Sequence, residues 1–570
     1  MIGRLIASTF GGLGVRWGKS AEQRIARLFE QAKQLEGAKQ RAAAVDVYRE
    51  LLRRQPGNVD ALSACGDLLC NLNRHEEASS CYESAVALRP DSRKLLFKLG
   101  NLYWLMGRLT DAEECFNQIL ALAPSDAQAL NNLGLVRQEE GDPQRAERFY
   151  RAAIEGDPGY LDARSNLLLC LNYQDGRSAE SIYREHIAWA QEVVSGLPER
   201  AVAYPDGGHK RLRVGYVSPD FKTHSVAYFF EPLLSHHDAS MFEIYCYDDG
   251  NRPDAVTERL RAKCKHWRII AGASDDDVEN VIRQDEIDIL VELAGHTADN
   301  RLRLLARRVA PIQVTYLGYP NTTGVAAIDY RITDPVADPV GVTDRFSCER
   351  LVRLPLAWCY LPPQDAPPIM ARPSETTSVT FGSFNKIAKL SERAVRTWSR
   401  VLREVPDSSL LLKCSALNDA EVAARLKHRF IRCGIDPDRI RTVGFAKNNR
   451  EHMAMYGDID IALDTFPYCG TTTTCEALFM GVPVVTFSGN THVQRVGASL
   501  LSALGRTEWI ADSEDRFVEI ASELARDLSR LVRLRKSLRD EMTASPLLDG
   551  LRFTRSLEDL YRRLHPRDMK

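Results

Sequence analysis

The sequence predicts a solenoid of paired helices followed by an α/β region folded as two doubly wound lobes. Three observations carry this expectation. Residues recur at intervals of 34 through the first third of the chain, short β-branched runs alternate with helical patterns from Leu212 onward, and a proline-rich stretch, Pro362 to Pro373, interrupts that alternation. At 570 residues the chain is too long for a single hydrophobic core, so several domains are expected.

After an N-terminal segment, residues 1–24, the repeats begin. Pro56, Pro90, Pro124 and Pro158 keep the 34-residue interval, as do Gly66, Gly100 and Gly134, Ala44, Ala78, Ala112 and Ala146, and the aromatic column Tyr48, Tyr82, Phe116 and Tyr150. The small residues mark where two antiparallel helices approach closely, the aromatic ring fills the space between them, and proline stops the second helix before the next begins. These columns resemble the tetratricopeptide repeat. Four repeats cover about Ile25 to Tyr160, and a helix around Leu161 to Tyr173 that lacks the glycine caps an array assigned to residues 25–175. A stacked array presents a concave groove suited to an extended peptide or a partner helix, so a protein or peptide partner is expected, with a dimerisation or spacer arm as the plainer alternative.

Residues 176–210 read as a linker: an amphipathic segment, Ser178 to Val194, then a turn-rich stretch holding Pro198, Pro205, Gly207 and Gly208. The first lobe, residues 211–375, has strand patterns at Leu212–Val217, Glu243–Tyr247, Ile287–Leu293 and Ile312–Leu317. The second, residues 376–570 with closing helices, has them at Thr380–Phe384, Leu410–Lys413, Ile440–Phe445, Ile459–Asp464 and Val482–Phe487. Alternating strands and helices over this length suit two Rossmann-like lobes. Such sheets bind ligands beyond the carboxyl ends of their strands, which places the expected active site in the cleft between lobes.

Composition narrows the class of partner. The charge balance, 75 basic against 77 acidic residues, gives no global attraction to nucleic acid or an acidic membrane surface. The 13 cysteines are scattered, without zinc-ligand spacing, and read as buried hydrophobes of a reducing compartment. The apolar stretch within Met1 to Ser20 is short and broken by Arg4, Gly11, Gly12 and Gly14, and no run elsewhere is long enough to span a bilayer. A cytoplasmic location is expected, with no membrane span.

The most informative stretch runs from Asp460 through Asp464-Thr-Phe-Pro-Tyr-Cys-Gly470 and four threonines, Thr471 to Thr474, into a helix opening with Cys475-Glu-Ala-Leu478. A strand feeding a glycine turn and a helix start offers free amides and hydroxyls to a diphosphate, reinforced by the helix dipole. The competing reading is local: Thr473 and Glu476 have the spacing of a capping box, which would occupy both side chains. The continuation Glu476-Ala-Leu478 to Gly481-Val-Pro-Val-Val485 resembles the nucleotide-sugar site of two-lobed GT-B glycosyltransferases, in which the glutamate holds the ribose hydroxyls.

Further motifs occur in order: Arg213-Val-Gly-Tyr-Val-Ser-Pro-Asp220 with His224, Leu290-Val-Glu-Leu-Ala-Gly-His296, Leu317-Gly-Tyr-Pro-Asn-Thr-Thr-Gly324, and Phe381-Gly-Ser-Phe-Asn385 with Lys389. With the repeats, they resemble the protein O-GlcNAc transferase family, and its SPINDLY branch most. The resemblance implies that His224 is the histidine near the acceptor and His266 a second cleft histidine, and it makes His296, Tyr319 and Pro320 acceptor-side candidates. By the same resemblance Lys389 contacts the donor diphosphate, with Asn385 and Lys386 beside it. His452 packs on the donor base, and Thr471, Thr472, Thr473 and Glu476 meet its phosphates and ribose. Three donor-side positions depart from the animal enzymes: Lys386 replaces glutamine, Thr471 histidine and Glu476 aspartate.

What the resemblance implies for activity is inverting transfer of a sugar to serine or threonine hydroxyls of proteins. UDP-GlcNAc is the first expected cosubstrate, GDP-fucose the alternative, and no further cofactor is expected. A non-catalytic scaffold that binds nucleotide is the rival from another class. Asp458 and Asp460 form an Asp-x-Asp, but GT-B enzymes generally need no metal, and none is expected here.

Overall fold

The computed structural model describes residues 19–197, 210–371 and 378–565. The chain divides into two compact units, the first ending at Asn132 and the second beginning at Leu133. The first unit is built of the helices Lys19–Gly37, Arg41–Arg54, Val59–Asn71, His75–Leu88, Arg93–Leu105 and Leu109–Leu122. Their pairing explains the sequence columns. A Cβ placed on Gly66 would lie 2.5 Å from the Tyr82 ring, and one on Gly100 would lie 2.8 Å from the Phe116 ring. Ala78, Tyr82, Ala112 and Phe116 are all buried. The glycine column is therefore the space that the aromatic column fills.

In the second unit, the helices Pro143–Gly156, Leu161–Leu171 and Ala179–Val193 do not form a free-standing cap and linker. Ala146, Tyr150, Leu168, Ile182 and Trp189 share one hydrophobic cluster with Leu302, Leu305, Val325 and Ile328 of the first lobe. The boundary expected at 175–176 thus falls inside a continuous core, because the amphipathic face read as a linker helix is buried against the lobe. Residues 198–209 of the expected linker, and the expected lobe boundary at 375–376, lie outside the described residues.

The first lobe contains β1 (Leu212–Ser218), β2 (Phe242–Asp248), β3 (His266–Ile269), β4 (Ile289–Glu292), β5 (Ile312–Thr315), β6 (Tyr330–Thr333) and β7 (Arg350–Arg353). They lie in the order β3-β2-β1-β4-β5-β6-β7, and each neighbouring pair is parallel, with Val214 opposite Ile244 and Ile289. The second lobe repeats the plan with β8 (Thr380–Ser383), β9 (Ser409–Lys413), β10 (Ile440–Val443), β11 (Ile461–Leu463), β12 (Val484–Phe487) and β13 (Ile510–Ala511), ordered β10-β9-β8-β11-β12-β13. The central strands β4, β5 and β12 are buried along their whole length. Residues covered on both faces by helices read as apolar runs without alternation. Strand order reverses direction between β1 and β4 and again between β8 and β11, which opens a crevice at the carboxyl ends of each sheet.

The last helix, Gly550–Leu564, returns to the first lobe. Phe553, Leu557, Leu560 and Tyr561 join Val214 and Phe230 in its core, and Glu558 Oε1 accepts from the Asp238 amide at 2.8 Å. The carboxyl-terminal segment therefore ties the lobes together after the second sheet is complete. No helix among the described residues is long and apolar enough to cross a membrane.

The glycine column gives a direct test. Helix propensity favours alanine over glycine by about 1 kcal/mol, whereas forcing a methyl group into a filled core costs about 1–3 kcal/mol. Gly66→Ala, with its added Cβ only 2.5 Å from the Tyr82 ring, should therefore give a net loss of up to about 2 kcal/mol in unfolding of the repeat unit. Gly57→Ala, with nothing within 4 Å of the added Cβ, should be neutral. Thermal denaturation of both variants checks the pair, and equal midpoints would remove the steric account.

Candidate active site

The carboxyl ends of both sheets face a cavity of about 310 Å³. His224, Thr297, Tyr319 and Pro320 line it from the first lobe, following β1, β4 and β5. Asn385, Lys386, Lys389, Tyr468, Thr471, Thr472 and Thr473 line it from the second, following β8 and β11, and Tyr173 reaches it from the helical segment. Apart from Tyr173, residues far apart in sequence meet here because they lie on loops and helix starts that follow the carboxyl ends of the parallel strands.

On the second-lobe side, the turn after β11 is folded around Asp464. Its carboxylate accepts from the Gly470 amide at 2.6 Å and the Thr486 hydroxyl at 2.7 Å. Burial pushes Asp464 up to about 6, opposed by these donors and by the Lys389 charge. The turn delivers the chain into the helix Thr472–Phe479, whose first turn no side chain caps. The alternative capping box is not formed: Thr473 donates instead to Asn385 Oδ1 at 2.8 Å, while the Glu476 carboxylate accepts from His452 at 2.9 Å and Tyr456 at 3.0 Å. The helix start is left as a concentration of positive dipole at the cavity wall.

Lys389 sits beside it. Its ammonium donates to the Cys469 carbonyl at 3.0 Å and lies 4.2 Å from the centre of the Tyr468 ring. Burial pulls it down to about 8, with the Asp464 carboxylate opposing that shift. Lys386 is more exposed and pairs with Glu139 at 3.0 Å, an interaction that raises its ammonium. Behind the wall, Lys413 at the end of β9 donates to His452 Nδ1 at 2.8 Å, so the His452 Nε2–H is directed at Glu476. His452 and Glu476 do not line the cavity; Phe384, which does, packs with its ring centre 5.9 Å from that of His452.

On the first-lobe side, His224 caps the helix Ser225–His236, its Nδ1 lying 3.3 Å from the Val226 amide and 3.5 Å from the Asp220 carboxylate. Burial pulls its imidazole down, with Asp220 opposing, so the neutral ring is favoured. With Nδ1 accepting the Val226 N–H, the neutral ring carries its proton on Nε2, and a proton gained at Nδ1 would be held by Asp220. Tyr319 is oriented from behind: its hydroxyl donates to His186 Nε2 at 2.8 Å and accepts from Asn172 at 3.3 Å. The preceding Gly318 has no room for a side chain against the Leu293 carbonyl.

Two expected histidines are placed elsewhere. His296 is fully buried behind Tyr319, bonded through Nε2 to the Thr323 carbonyl at 2.7 Å and edge-on to Trp189. It supports the wall without lining the cavity. His266 opens the edge strand β3 opposite Tyr245, stacked on that ring at 4.3 Å and paired with Glu243 at 3.0 Å. Its register sets it partway along the sheet and away from the carboxyl end, which corrects the expectation of a second cleft histidine. Of the Asp-x-Asp, Asp460 accepts from the Thr380 amide at 2.9 Å and Asp458 is exposed. Sequence reasoning missed Asp220, Lys413, Tyr456, Asp464 and Tyr468 as site-builders, although Asp220, Asp464 and Tyr468 lie within the motifs it singled out. His186 left no signal, being one histidine on an amphipathic helix.

Two parallel doubly wound lobes closing on such a cavity, preceded by helical repeats, define a GT-B-type α/β protein with a tetratricopeptide array. The chain belongs to glycosyl transferase family 41, which it matches over residues 167–360 and 372–557, with tetratricopeptide repeats matched over 66–107 and 91–159. It is 43% identical over 413 residues to the tomato (Solanum lycopersicum) protein described as a probable UDP-N-acetylglucosamine–peptide N-acetylglucosaminyltransferase SPINDLY, a match spanning 71% of this chain and 44% of the relative. Identity to the SPINDLY protein of Arabidopsis thaliana is 40% over 418 residues, 72% of this chain and 45% of that one. The chain thus matches less than half the length of these plant relatives. A solved structure of a mutant O-GlcNAc transferase from Thermobaculum terrenum superposes with a TM-score of 0.82 at 34% identity, covering 89% of this chain and 96% of that one.

The buried histidines set a pH dependence of stability. His186 is pulled from 6.5 to about 4 by burial. Below pH 6.5 the unfolded chain takes up a proton that the folded chain refuses until about pH 4. Stability is therefore full above pH 6.5 and falls as pH drops through that window, by about 3 kcal/mol for this group, and His296 acts in the same direction. Unfolding midpoints should fall more steeply between pH 7 and 5 in the wild type than in His186→Phe. Parallel slopes would remove His186 as the cause.

Proposed function

We propose that this chain is a protein glycosyltransferase that moves a sugar from a nucleoside diphosphate sugar to serine or threonine hydroxyls, with inversion. The observation that carries the reading is convergence: Lys389 and an uncapped helix start stand on one wall of the cavity, and a neutral histidine stands on the other. In this reaction the acceptor oxygen attacks the anomeric carbon as its bond to the diphosphate breaks. The acceptor proton passes to His224 or to solvent, and the leaving group departs as a nucleoside diphosphate. Lys389 and the amides of Thr472 to Thr474 meet the charge that grows on it, a fixed electrostatic arrangement that needs no rearrangement during reaction. His224 orients or deprotonates the acceptor, and the tetratricopeptide array supplies protein acceptors.

UDP-GlcNAc is the first donor on this reading, in keeping with the descriptions of the plant relatives as UDP-N-acetylglucosamine–peptide transferases and of the Thermobaculum protein as an O-GlcNAc transferase. GDP-fucose is the second. It rests on the resemblance of Asp464-Thr-Phe-Pro-Tyr468 and of Ser218-Pro-Asp220 with Thr223-His-Ser225 to the SPINDLY branch, some of whose members transfer fucose.

Two substitutions separate the walls. Lys389→Ala should lower both donor hydrolysis and transfer by about a hundredfold or more, whereas His224→Ala should lower transfer by about a hundredfold and leave nucleotide affinity within a few fold. Loss of nucleotide binding in His224→Ala would remove its acceptor-side placement, and a wild type that neither hydrolyses nor transfers from any nucleotide sugar would return the scaffold reading. Calorimetry with UDP and GDP decides the base: tighter binding of GDP replaces GlcNAc transfer with fucosyl transfer and leaves the role of Lys389 unchanged.

A further inference from the structure

One carboxylate at the donor wall belongs to neither lobe. Glu139 closes the helix Ala127–Glu139, and its side chain meets the Lys386 ammonium at 3.0 Å. Ion pairs between two exposed side chains are worth little, but the Glu139 side chain is only 15% exposed, and Lys386 is the one cation it meets among the described residues. The turn that follows is fixed without Lys386. Glu140 pairs with Arg425 at 2.6 Å and with Arg137 at 2.7 Å. Gly141 comes next with φ at +81°, and a Cβ there would lie 2.7 Å from Ile387 Cγ2 and 3.1 Å from the Ile387 carbonyl. Residues 139–141 are therefore packed directly on the loop that carries Lys386 and Lys389.

Lys386, in contrast, has room to turn. Its side chain is 61% exposed, and it lines the cavity beside Lys389 and the helix start. Its charge is felt on both walls: it adds to the pull that burial exerts on the Lys389 ammonium and on the His224 imidazole. A compact ammonium on a flexible stem can exchange one oxygen partner for another by rotation of that stem. The choice before it is the fixed Glu139 carboxylate or a diphosphate at the helix start.

We propose that Glu139 is a fixed competitor for Lys386: the ammonium leaves Glu139 for the diphosphate when the donor binds and returns to Glu139 when the nucleoside diphosphate departs. The inference rests on the donor reading above. Departure needs help because breaking the sugar bond leaves additional negative charge on the diphosphate, so the same cations hold the product more firmly than the donor. A largely covered carboxylate that has lost its cation costs free energy for as long as the nucleotide stays bound. Glu139 thereby weakens retention of the product. It acts through Lys386 and touches no reacting atom, which makes it a positioning residue.

The test uses the full chain and titrates GDP and UDP, with guanosine and uridine as uncharged controls, into the wild type, Glu139→Gln, Lys386→Gln and the double variant. Glutamine keeps the size of Glu139, and Glu140 and Gly141 continue to hold the turn. Glu139→Gln should tighten the nucleoside diphosphate that the wild type binds by about two- to fivefold and leave nucleoside binding unchanged. Lys386→Gln should weaken diphosphate binding, and by more in the Glu139→Gln background than in the wild type, because there the lysine has no competing partner. Unchanged or weaker diphosphate binding in Glu139→Gln, or equal losses from Lys386→Gln in both backgrounds, would overturn the assignment while the donor site stands. A gain shared equally by the nucleosides would trace the effect to packing and overturn it too. A wild type that binds neither diphosphate takes down the donor reading and this inference together.

Discussion

A buried carboxylate with too little water and too few charges around it has to be satisfied by the chain that surrounds it, and Asp464 is in that position. It draws the Thr465 and Gly470 amides and the Thr486 hydroxyl onto its two oxygens, and this bends the segment after β11 into the turn that ends at Gly470. The position of the helix Thr472–Phe479, the direction of the Cys469 carbonyl that receives Lys389, and the placement of the Tyr468 ring beneath that ammonium all follow from the same turn. Tyr468 in turn stacks on Tyr173 at 4.9 Å, so the helical segment closes against the wall that Asp464 shapes.

The opposite wall is held by packing more than by charge. Tyr319 stands on a loop whose glycine allows the backbone against Leu293, and its hydroxyl is fixed by Asn172 and His186, both carried by helices that precede the first strand. Those helices share a hydrophobic cluster with the lobe. The first-lobe wall is thus held partly by segments that the sequence assigns to the capping helix of the repeat array and to the linker. The capping and linker helices therefore support the wall itself.

Much of this was legible from residues alone, for identifiable reasons. The 34-residue columns are imposed by close helix approach, as the rings of Tyr82 and Phe116 against Gly66 and Gly100 show, and a repeated steric demand repeats in sequence. The strands were visible because parallel sheets buried on both faces select unbroken β-branched and aliphatic runs. What stayed hidden depends on partners distant in sequence. The Thr473–Glu476 spacing fits a capping box equally well, and only Asn385, His452 and Tyr456 arriving from other loops decide against it. His266 and His224 look alike as isolated histidines. Register along β3, which no local pattern encodes, carries one away from the carboxyl edge and leaves the other on it.

The two walls also differ in how their charges are held, and the difference matters for the proposed chemistry. Asp464 and Lys389 are both shifted toward their neutral forms by burial, and each opposes the other's shift. An ammonium that donates to a carbonyl oxygen, and whose Asp464 neighbour is already bonded to two amides and a hydroxyl, has anion-binding capacity left over. A diphosphate brought to the adjacent helix start would raise the Lys389 ammonium above about 8 and hold its charge more firmly, by the same Coulombic logic that burial works against. The stabilisation would then be greatest when the leaving oxygens carry the most charge, at bond breaking and after it. A surface lysine, already solvated and fully charged, would gain far less from the same approach. On this argument the depth of Lys389, fixed by the turn that Asp464 folds, is what suits it to a departing diphosphate.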